Sequence, residues 1–176
     1  MHGENLILHT DFKLKYVFDV DKKLTNKIAK KFASKSIHDP RVAFKDKEID
    51  AIFIASSTST HIGLIEEAVK YKKVIFCEKP LDLSIDKINK CRKKIKNLKP
   101  KIQLGFNRRY DPGHNSLKKD LEKGVIGKLE KIIITSRDPA PPPIKYLKVS
   151  GGIFKDMMIH DLSLIHISEP TRPERI

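Results

Sequence analysis

Ala51-Ile52-Phe53-Ile54-Ala55 is the stretch that decides the fold class of this chain. Five successive apolar residues predict a strand that is buried on both faces of a parallel sheet. Apolar residues then recur at helical spacing from Thr60 or His61 onward, and Val74-Ile75-Phe76-Cys77 predicts a second buried strand. A parallel strand-helix-strand unit of this kind has a right-handed crossover, with its helix packed against the sheet.

The alternation of strands and helices continues on both sides of this unit. Lys13 to Asp19 predicts an earlier strand, and Asp21 to Ala33 predicts the helix after it. Downstream, Ser84 is a suitable N-cap for a helix from Ile85 to about Leu98, and Ile102 to Phe106 predicts a further strand. The sequence therefore predicts an α/β fold with a doubly wound parallel sheet.

A different pattern starts after residue 106. His114 to Lys123 predicts a helix, and Leu129 to Thr135, which contains three successive isoleucines, predicts a strand. A proline-rich loop separates this strand from another helix. We therefore expect residues 1–106 to form a first domain and residues 107–161 to begin a second, α+β domain.

The composition is that of a globular chain with a modest core. Of its 176 residues, 39% are hydrophobic and 33% charged, and no apolar run reaches the roughly 20 residues of a membrane helix. Two cysteines, Cys77 and Cys91, favour a reduced, cytoplasmic chain without a disulfide framework or a metal site. The net charge of +14 comes mostly from dispersed lysines without a nucleic-acid-binding motif, so we expect no nucleic-acid partner.

Polar residues follow the predicted strands, where ligands bind in this fold class. Asp19 ends the first strand, and an acid there can accept hydrogen bonds from an adenosine ribose and favour NAD over NADP. A turn acid is the alternative, and NADP stays open. Ser56, Ser57 and Thr58 end a later strand. Such small residues leave backbone N–H groups accessible to a dinucleotide, although they are also ordinary N-caps.

The following strand ends in Glu78-Lys79-Pro80. Proline at this point can fix a cis peptide bond and direct Lys79 into a cleft. A partly desolvated lysine can stabilise a developing alkoxide or tune a neighbouring histidine. Asn107 and Arg108 come after the last predicted strand, in a polar cluster at the domain boundary.

Asp156 and His160 lie in the segment that follows Gly151 and Gly152. Residues four apart on a helix share a face, so the carboxylate can orient the imidazole and tune it as a general base near neutral pH. A surface ion pair is the alternative meaning of this spacing. The two glycines allow the backbone to approach a ligand closely.

In this order the segments resemble the Gfo/Idh/MocA family of NAD(P)-dependent oxidoreductases, and its inositol 2-dehydrogenase branch in particular. The resemblance covers residues 1 to about 161 and rests on Phe18-Asp19, Ser56 through His61, Glu78-Lys79-Pro80, Gly105 through Pro112, and Gly151 through Asp161. It implies a Rossmann-type sheet and the oxidation of a secondary alcohol of a cyclic polyol or sugar. The implied substrate is myo-inositol, and the implied hydride acceptor is NAD.

The resemblance also implies a role for each matching residue. The implied catalytic residues are Lys79, Asp156 and His160. The implied cofactor-binding residues are Asp19, Ser56, Ser57, Thr58, His61, Glu78, Lys79, Asn107 and Arg108. The implied substrate-binding residues are Arg137, Asp138, Asp156 and His160. In this scheme His160 takes the hydroxyl proton, Asp156 orients substrate and imidazole, and the full-length parent is a homo-oligomer.

The chain departs from the family pattern at both ends. The family begins with a strand and a G-x-G-x-x-G loop, whereas Met1 to Leu6 resembles the helix after that loop. We therefore expect the first strand and the glycine loop to be missing, which exposes the edges of the two strands that would flank it. Residues 162–176 resemble a translated sequencing adapter and are predicted to be a non-native tail, with a frayed terminus as the alternative.

Several functions remain open at this point. The full-length parent is expected to be an NAD-dependent polyol dehydrogenase, and the present chain to fold weakly and to be inactive. Another sugar dehydrogenase of the same family is an alternative. A basic nucleic-acid-binding module is the least favoured hypothesis.

Overall fold

The computed structural model describes residues 2–168. The strands β1 to β5 span Tyr16–Val17, Lys35–Ser36, Ala51–Ile54, Val74–Cys77 and Ile102–Leu104. The α-helices α1 to α8 span His2–Ile7, Lys22–Lys31, Arg41–Lys45, Thr58–Lys70, Ile85–Ile95, Pro112–Glu122, Ile144–Ser150 and Ile159–Ser168. Single turns of 3₁₀-helix cover Lys96–Leu98 and Asn107–Tyr110, and a π-helical turn covers Phe154–Met158. The predicted alternation of strands and helices up to residue 106 is confirmed.

The strands form two separate parallel sheets within residues 2–168. One sheet pairs β1 with β2, and the other has the order β3-β4-β5. Ile54 lies opposite Cys77, and Cys77 lies opposite Leu104, so the three strands of the larger sheet end at one edge. Strands β1 and β3 do not pair with each other. The described residues thus contain two sheets and not one continuous sheet.

The core lies between the larger sheet and the helices α4 and α5. Its centre consists of side chains that are almost fully buried, namely Ile54, Ile65, Ala68, Val69, Ile75, Cys77 and Cys91. Helix α5 begins where predicted, because the Ser84 hydroxyl accepts a hydrogen bond from the backbone N–H of Lys87. Burial of apolar surface on this one face holds the β3-β4-β5 unit together.

The prediction that residues 51–55 are buried on both faces of the sheet is wrong. Phe53 is 41% exposed, and Ala51 is exposed as well. Phe53 stacks on Phe76 with ring centroids 4.5 Å apart, and the His2 ring meets Phe76 edge-on at 5.6 Å. The short helix α1 covers only part of this second face, and so the apolar surface there stays open to solvent.

The predicted strand at residues 129–135 is also not formed. This segment is irregular, and Ile133 is 76% exposed. Isoleucines favour extended backbone, but a strand is stable only beside a partner, and residues 2–168 offer none here. The helix predicted after the proline-rich loop is the one that follows Gly151 and Gly152; helix α7 lies between that loop and the two glycines, where the sequence predicts no helix.

Helix α8 runs on through the start of the predicted non-native tail. Residues 162–168 are helical, and Ser163 and Leu164 are buried, so a frayed terminus is wrong for this stretch. Residues 169–176 lie outside the described residues. The non-native origin of residues 162–176 and the domain division near residue 106 remain predictions. No helix in the described part of the chain has the length and hydropathy needed to cross a membrane.

Candidate active site

Lys79 and Asp156 meet at the carboxyl end of strand β4. The Lys79 Nζ donates to the Oδ1 atom of Asp156 at 2.8 Å and to its main-chain carbonyl oxygen at 2.7 Å. Both side chains are 18% exposed. The Lys79–Pro80 peptide bond is cis, as the sequence suggested. Asp156 lies within the π-helical turn, a departure from α-helix that is frequent at functional sites.

The Asp156 carboxylate has a second donor, the hydroxyl of Tyr146, at 2.7 Å from the same Oδ1 atom. Burial by itself raises the pKa of Asp156, but the hydrogen bonds from Lys79 and Tyr146 outweigh it and hold the pKa below its ordinary value. Burial, together with the hydrogen bond to Asp156, raises the pKa of Tyr146 to about 12. Asp156 is therefore an anion at neutral pH, with two donors on one oxygen.

His160 lies one turn further along the same helix. Its ring meets the Phe106 ring edge-on, with centroids 6.4 Å apart. Its Nδ1 atom is buried and has no hydrogen-bond partner among the described residues. Burial lowers the pKa of His160, and the charges of Lys79 and Arg108 lower it further. The imidazole is thus held neutral at physiological pH, the state that a general base requires.

The expected hydrogen bond between Asp156 and His160 is absent among residues 2–168. Asp156 instead pairs with Lys79 and Tyr146. The two residues share one helical stretch, but the carboxylate reaches strand β4 while the imidazole packs on Phe106. Asp156 therefore makes no hydrogen bond to the imidazole among these residues, and its role in orienting the imidazole stays a prediction.

Arg108 joins the helix α8 to the end of strand β5. Its guanidinium donates to the Asp161 carboxylate and to the Ser136 hydroxyl, the latter at 2.8 Å. Ser136 in turn donates to Asp161 at 2.9 Å. Arg137 and Asp138 follow Ser136 and are exposed. They are adjacent to Ser136 in the chain. The strand that was expected to direct them toward the cleft is not formed.

A groove of about 240 Å³ opens next to Glu78, at the carboxyl end of the larger sheet. Its lining includes Phe53, Phe76, Glu78, Phe106 and Asn107. Glu78 accepts a hydrogen bond from the His2 ring at 2.6 Å. Sites that enclose a drug-sized ligand measure roughly 300–1,000 Å³, so this groove is smaller than a site that encloses a whole dinucleotide. The sequence contains no G-x-G-x-x-G loop for the pyrophosphate.

His61 connects the loops that follow strands β3 and β4. It is only 1% exposed, and its Nδ1 and Nε2 atoms each lie 2.9 Å from a main-chain carbonyl oxygen, that of Pro80 and that of Ser56. A ring buried in this way has no surface for a cofactor. His61 acts on the predicted cofactor site only through the loops that it holds.

The other predicted cofactor residues occupy strand ends. Ser56 is hydrogen-bonded to the Thr60 hydroxyl at 2.6 Å, and Ser57 and Thr58 stand at the start of helix α4. The Asp19 Oδ1 atom accepts from the backbone N–H of Asp21 at 2.9 Å, as in a turn. Asp19 thus has the contact of a turn residue, and Ser57 and Thr58 have the positions of residues at a helix N-terminus. Neither arrangement prevents contact with a cofactor.

Sequence reasoning did not identify Tyr146, Ser136 and Asp161 as parts of this site. Tyr146 became visible only with helix α7, whose Ile144 and Leu147 have helical spacing after the prolines. Asp161 directly follows His160, so its closeness to the site could have been noted from the sequence. Nothing in the sequence around Ser136 indicates its contact with Arg108, since that contact spans 28 residues.

The family of this chain follows from a match over the part that contains the five strands and their loops. The model of the Gfo/Idh/MocA oxidoreductase family, described as having an NAD-binding Rossmann fold, matches residues 1–106. The chain belongs to this oxidoreductase family. Membership accounts for the parallel strands and for the polar strand ends that border the groove.

Relatives of this chain include named inositol dehydrogenases. Over 93% of the chain it is 41% identical to the myo-inositol 2-dehydrogenase of Thermotoga maritima, of which it spans 49%. Over 66% of the chain it is 47% identical to the inositol 2-dehydrogenase of Rhizobium meliloti, of which it spans 36%. The chain thus spans half or less of the length of these curated relatives.

Solved structures of inositol dehydrogenases also superpose on this chain. A myo-inositol dehydrogenase from Corynebacterium glutamicum superposes with a TM-score of 0.90 at 38% identity, over 94% of this chain and 50% of that one. The scyllo-inositol dehydrogenase of Lactobacillus casei, solved with NAD(H) and scyllo-inositol, superposes with a TM-score of 0.80 at 30% identity. That match covers 95% of this chain and 52% of the other.

Proposed function

We propose that this protein is an NAD-dependent dehydrogenase that oxidises a secondary alcohol of a cyclic polyol or sugar, with myo-inositol as its first candidate substrate. The observation that carries the proposal is the Lys79–Asp156 pair, at 2.8 Å, with a neutral histidine one turn along the same helix. A cation, an anion and a neutral base at one strand end suit the binding and deprotonation of an alcohol. The printed names of the inositol dehydrogenase relatives support the choice of substrate.

Each of the three residues has a distinct part in this proposal. His160 takes the proton of the substrate hydroxyl, because its lowered pKa keeps it unprotonated. The Lys79 ammonium stabilises the alkoxide that develops on the same oxygen. Asp156 holds Lys79 in place and accepts a hydrogen bond from a second substrate hydroxyl. NAD, when bound, supplies the carbon that accepts the hydride.

The cofactor side of the proposal rests on the polar strand ends. Asp19 favours NAD because a carboxylate binds the ribose hydroxyls and repels a 2′-phosphate. Glu78 and Asn107 line the groove in which the proposal places the nicotinamide half. Ser56, Ser57, Thr58 and Arg108 border the same sheet edge, and Arg137 and Asp138 are proposed to contact substrate hydroxyls.

The test is the formation of NADH, followed by its absorbance at 340 nm, with the full-length protein and a panel of cyclic polyols and sugars. We expect turnover with myo-inositol or a stereoisomer, and a loss of about 10²–10⁴-fold in His160→Ala. The matched control is His38→Ala, which changes an exposed histidine outside the candidate site. Absence of NADH from every polyol, in a protein shown to be folded, would overturn the proposal.

One observation favours the alternative that the 176-residue chain by itself is inactive. Strands β1 and β3 belong to separate sheets, so Asp19, the proposed ribose contact, and the groove next to Glu78 are not joined by a continuous sheet. Assaying this chain in parallel with the full-length protein separates the two cases. Turnover by the chain alone would contradict the fragment hypothesis.

We further propose that the full-length protein is a cytoplasmic homo-oligomer. Cys77 and Cys91 are buried free thiols, which suits a reducing compartment. Light scattering of the purified protein measures its mass, and a monomer would contradict the oligomer. Salt-sensitive binding to random DNA would instead favour the basic nucleic-acid-binding module.

A further inference from the structure

Tyr146 brings a hydroxyl group to the Asp156–Lys79 pair from a separate helix. Its OH lies 2.7 Å from Oδ1 of Asp156, the same oxygen that accepts from Lys79 Nζ at 2.8 Å. The two donors come from helix α7 and from the end of strand β4. Oδ1 is therefore saturated from two sides, and no described residue donates a hydrogen bond to Oδ2 of the same carboxylate.

A carboxylate held by two donors on one oxygen cannot rotate freely about its terminal torsion. With Lys79 alone, rotation would exchange the two oxygens, because the ammonium is a compact charge with rotatable donors. The phenol hydroxyl is carried by a planar ring with only two rotatable side-chain torsions, so it restrains the carboxylate at little entropic cost. Tyr146 itself is 43% exposed, so the pair lies near solvent and within reach of a soluble ligand.

We propose that Tyr146 is a positioning residue that sets the specificity of this site for a substrate with adjacent hydroxyl groups. By saturating Oδ1 of Asp156 it leaves Oδ2 as the acceptor for one substrate hydroxyl, next to the hydroxyl that His160 deprotonates. This inference rests on the proposed function and concerns substrate binding more than the chemical step. Tyr146 acts through Asp156 and is not itself a catalytic residue.

The kinetic test is Tyr146→Phe in the full-length protein, which keeps the ring and removes only the hydroxyl. We expect KM for the polyol to rise about tenfold, because a hydrogen bond to a charged group is lost. We expect kcat to change by less than about threefold and KM for NAD to stay unchanged, since uniform substrate binding is what is lost. The matched control is Tyr71→Phe, which removes a hydroxyl from the end of helix α4.

A second measurement, on the 176-residue chain, needs no activity. The carboxyl ¹³C resonance of Asp156 is titrated in the native chain and in Tyr146→Phe. We expect the pKa of Asp156 to rise in the variant, because one of the hydrogen bonds that lowers it is gone. An unchanged titration overturns the positioning role, whether or not the protein oxidises polyols.

The two readouts separate failure of this inference from failure of the proposed function. If the native protein oxidises no polyol, the proposed function fails, and the substrate role of Tyr146 fails with it. If it does oxidise a polyol and Tyr146→Phe leaves KM unchanged, only the inference about Tyr146 is overturned. A rise in KM without the shift in the Asp156 titration would place Tyr146 in direct contact with substrate and likewise overturn a role through Asp156.

Discussion

The Lys79 ammonium group donates two hydrogen bonds to Asp156, one to its carbonyl oxygen at 2.7 Å and one to its carboxylate at 2.8 Å. The first bond depends on the backbone of the π-helical turn and the second on the side chain. Lys79 therefore holds both the helix and the aspartate against the end of strand β4. The two residues are 77 positions apart, so this contact is a product of the tertiary fold.

We predict that Lys79→Met destabilises the chain by about 1–3 kcal/mol. The substitution keeps an apolar stem but leaves the carboxylate of Asp156 with Tyr146 as its remaining donor, and an under-bonded, partly buried charge is costly. The free energy of unfolding in urea measures this effect. The matched control is Lys94→Met, which removes an exposed bridge to Glu66 and should cost less than about 1 kcal/mol. Equal losses in the two variants would contradict the prediction.

We predict that His160 titrates below the ordinary histidine value of about 6.5, because of its burial and the nearby charges of Lys79 and Arg108. The ring ¹H–¹⁵N resonances report the midpoint in the 176-residue chain. As the pH falls below about 6.5, the unfolded chain binds this proton before the folded chain does, so His160 makes the protein less stable in that window. A midpoint at or above the ordinary value would contradict the prediction.

Two variants check the origin of this titration. In Lys79→Met the pKa of His160 should rise, because a nearby positive charge is gone. In His160→Gln the loss of stability on acidification below about pH 6.5 should be smaller than in the native chain. Both variants can be followed by urea unfolding at a series of pH values.

The parts of the fold that local patterns determine could be predicted from the sequence. The apolar runs of β3 and β4 and the N-cap at Ser84 depend on neighbouring residues, and their positions are confirmed. The three isoleucines at 132–134 have the same local preference for a strand, but pairing requires a second strand. The burial of Phe53 failed as a prediction for a similar reason, since it depends on what covers the second face of the sheet.

In the candidate site, too, local patterns predict the local structure but not the contacts between distant segments. The spacing of Asp156 and His160 correctly indicates one helical stretch, but spacing says nothing about distant partners. The partner of Asp156 is Lys79, and the partner of Arg108 is Asp161. Both contacts join segments more than 50 residues apart, which no local pattern specifies.

We predict that His61→Ala lowers the free energy of unfolding by about 2–4 kcal/mol. The variant removes the two ring nitrogens that lie within hydrogen-bond distance of the Pro80 and Ser56 carbonyl oxygens, one of them as a donor, and opens a cavity in a fully buried site. Urea unfolding measures the loss. His166→Ala, at an exposed position, should change stability by less than about 0.5 kcal/mol. A cost for His61→Ala as small as that of the control would show that the ring does not hold the two loops together.

The two glycines at the start of the helical stretch that carries Asp156 and His160 offer a matched pair of substitutions. Gly151 and Gly152 have positive φ angles of 81° and 78°, so alanine at either position costs about 1–2 kcal/mol of backbone strain. A Cβ atom at Gly151 would lie 2.6 Å from the Leu83 side chain, whereas one at Gly152 meets nothing within 4 Å. We therefore predict that Gly151→Ala is less stable than Gly152→Ala by about a further 1–3 kcal/mol in urea unfolding. In the double variant with Leu83→Ala, the difference should shrink, because the clashing methyl group is gone; a difference that persists there would rule out this contact as its cause.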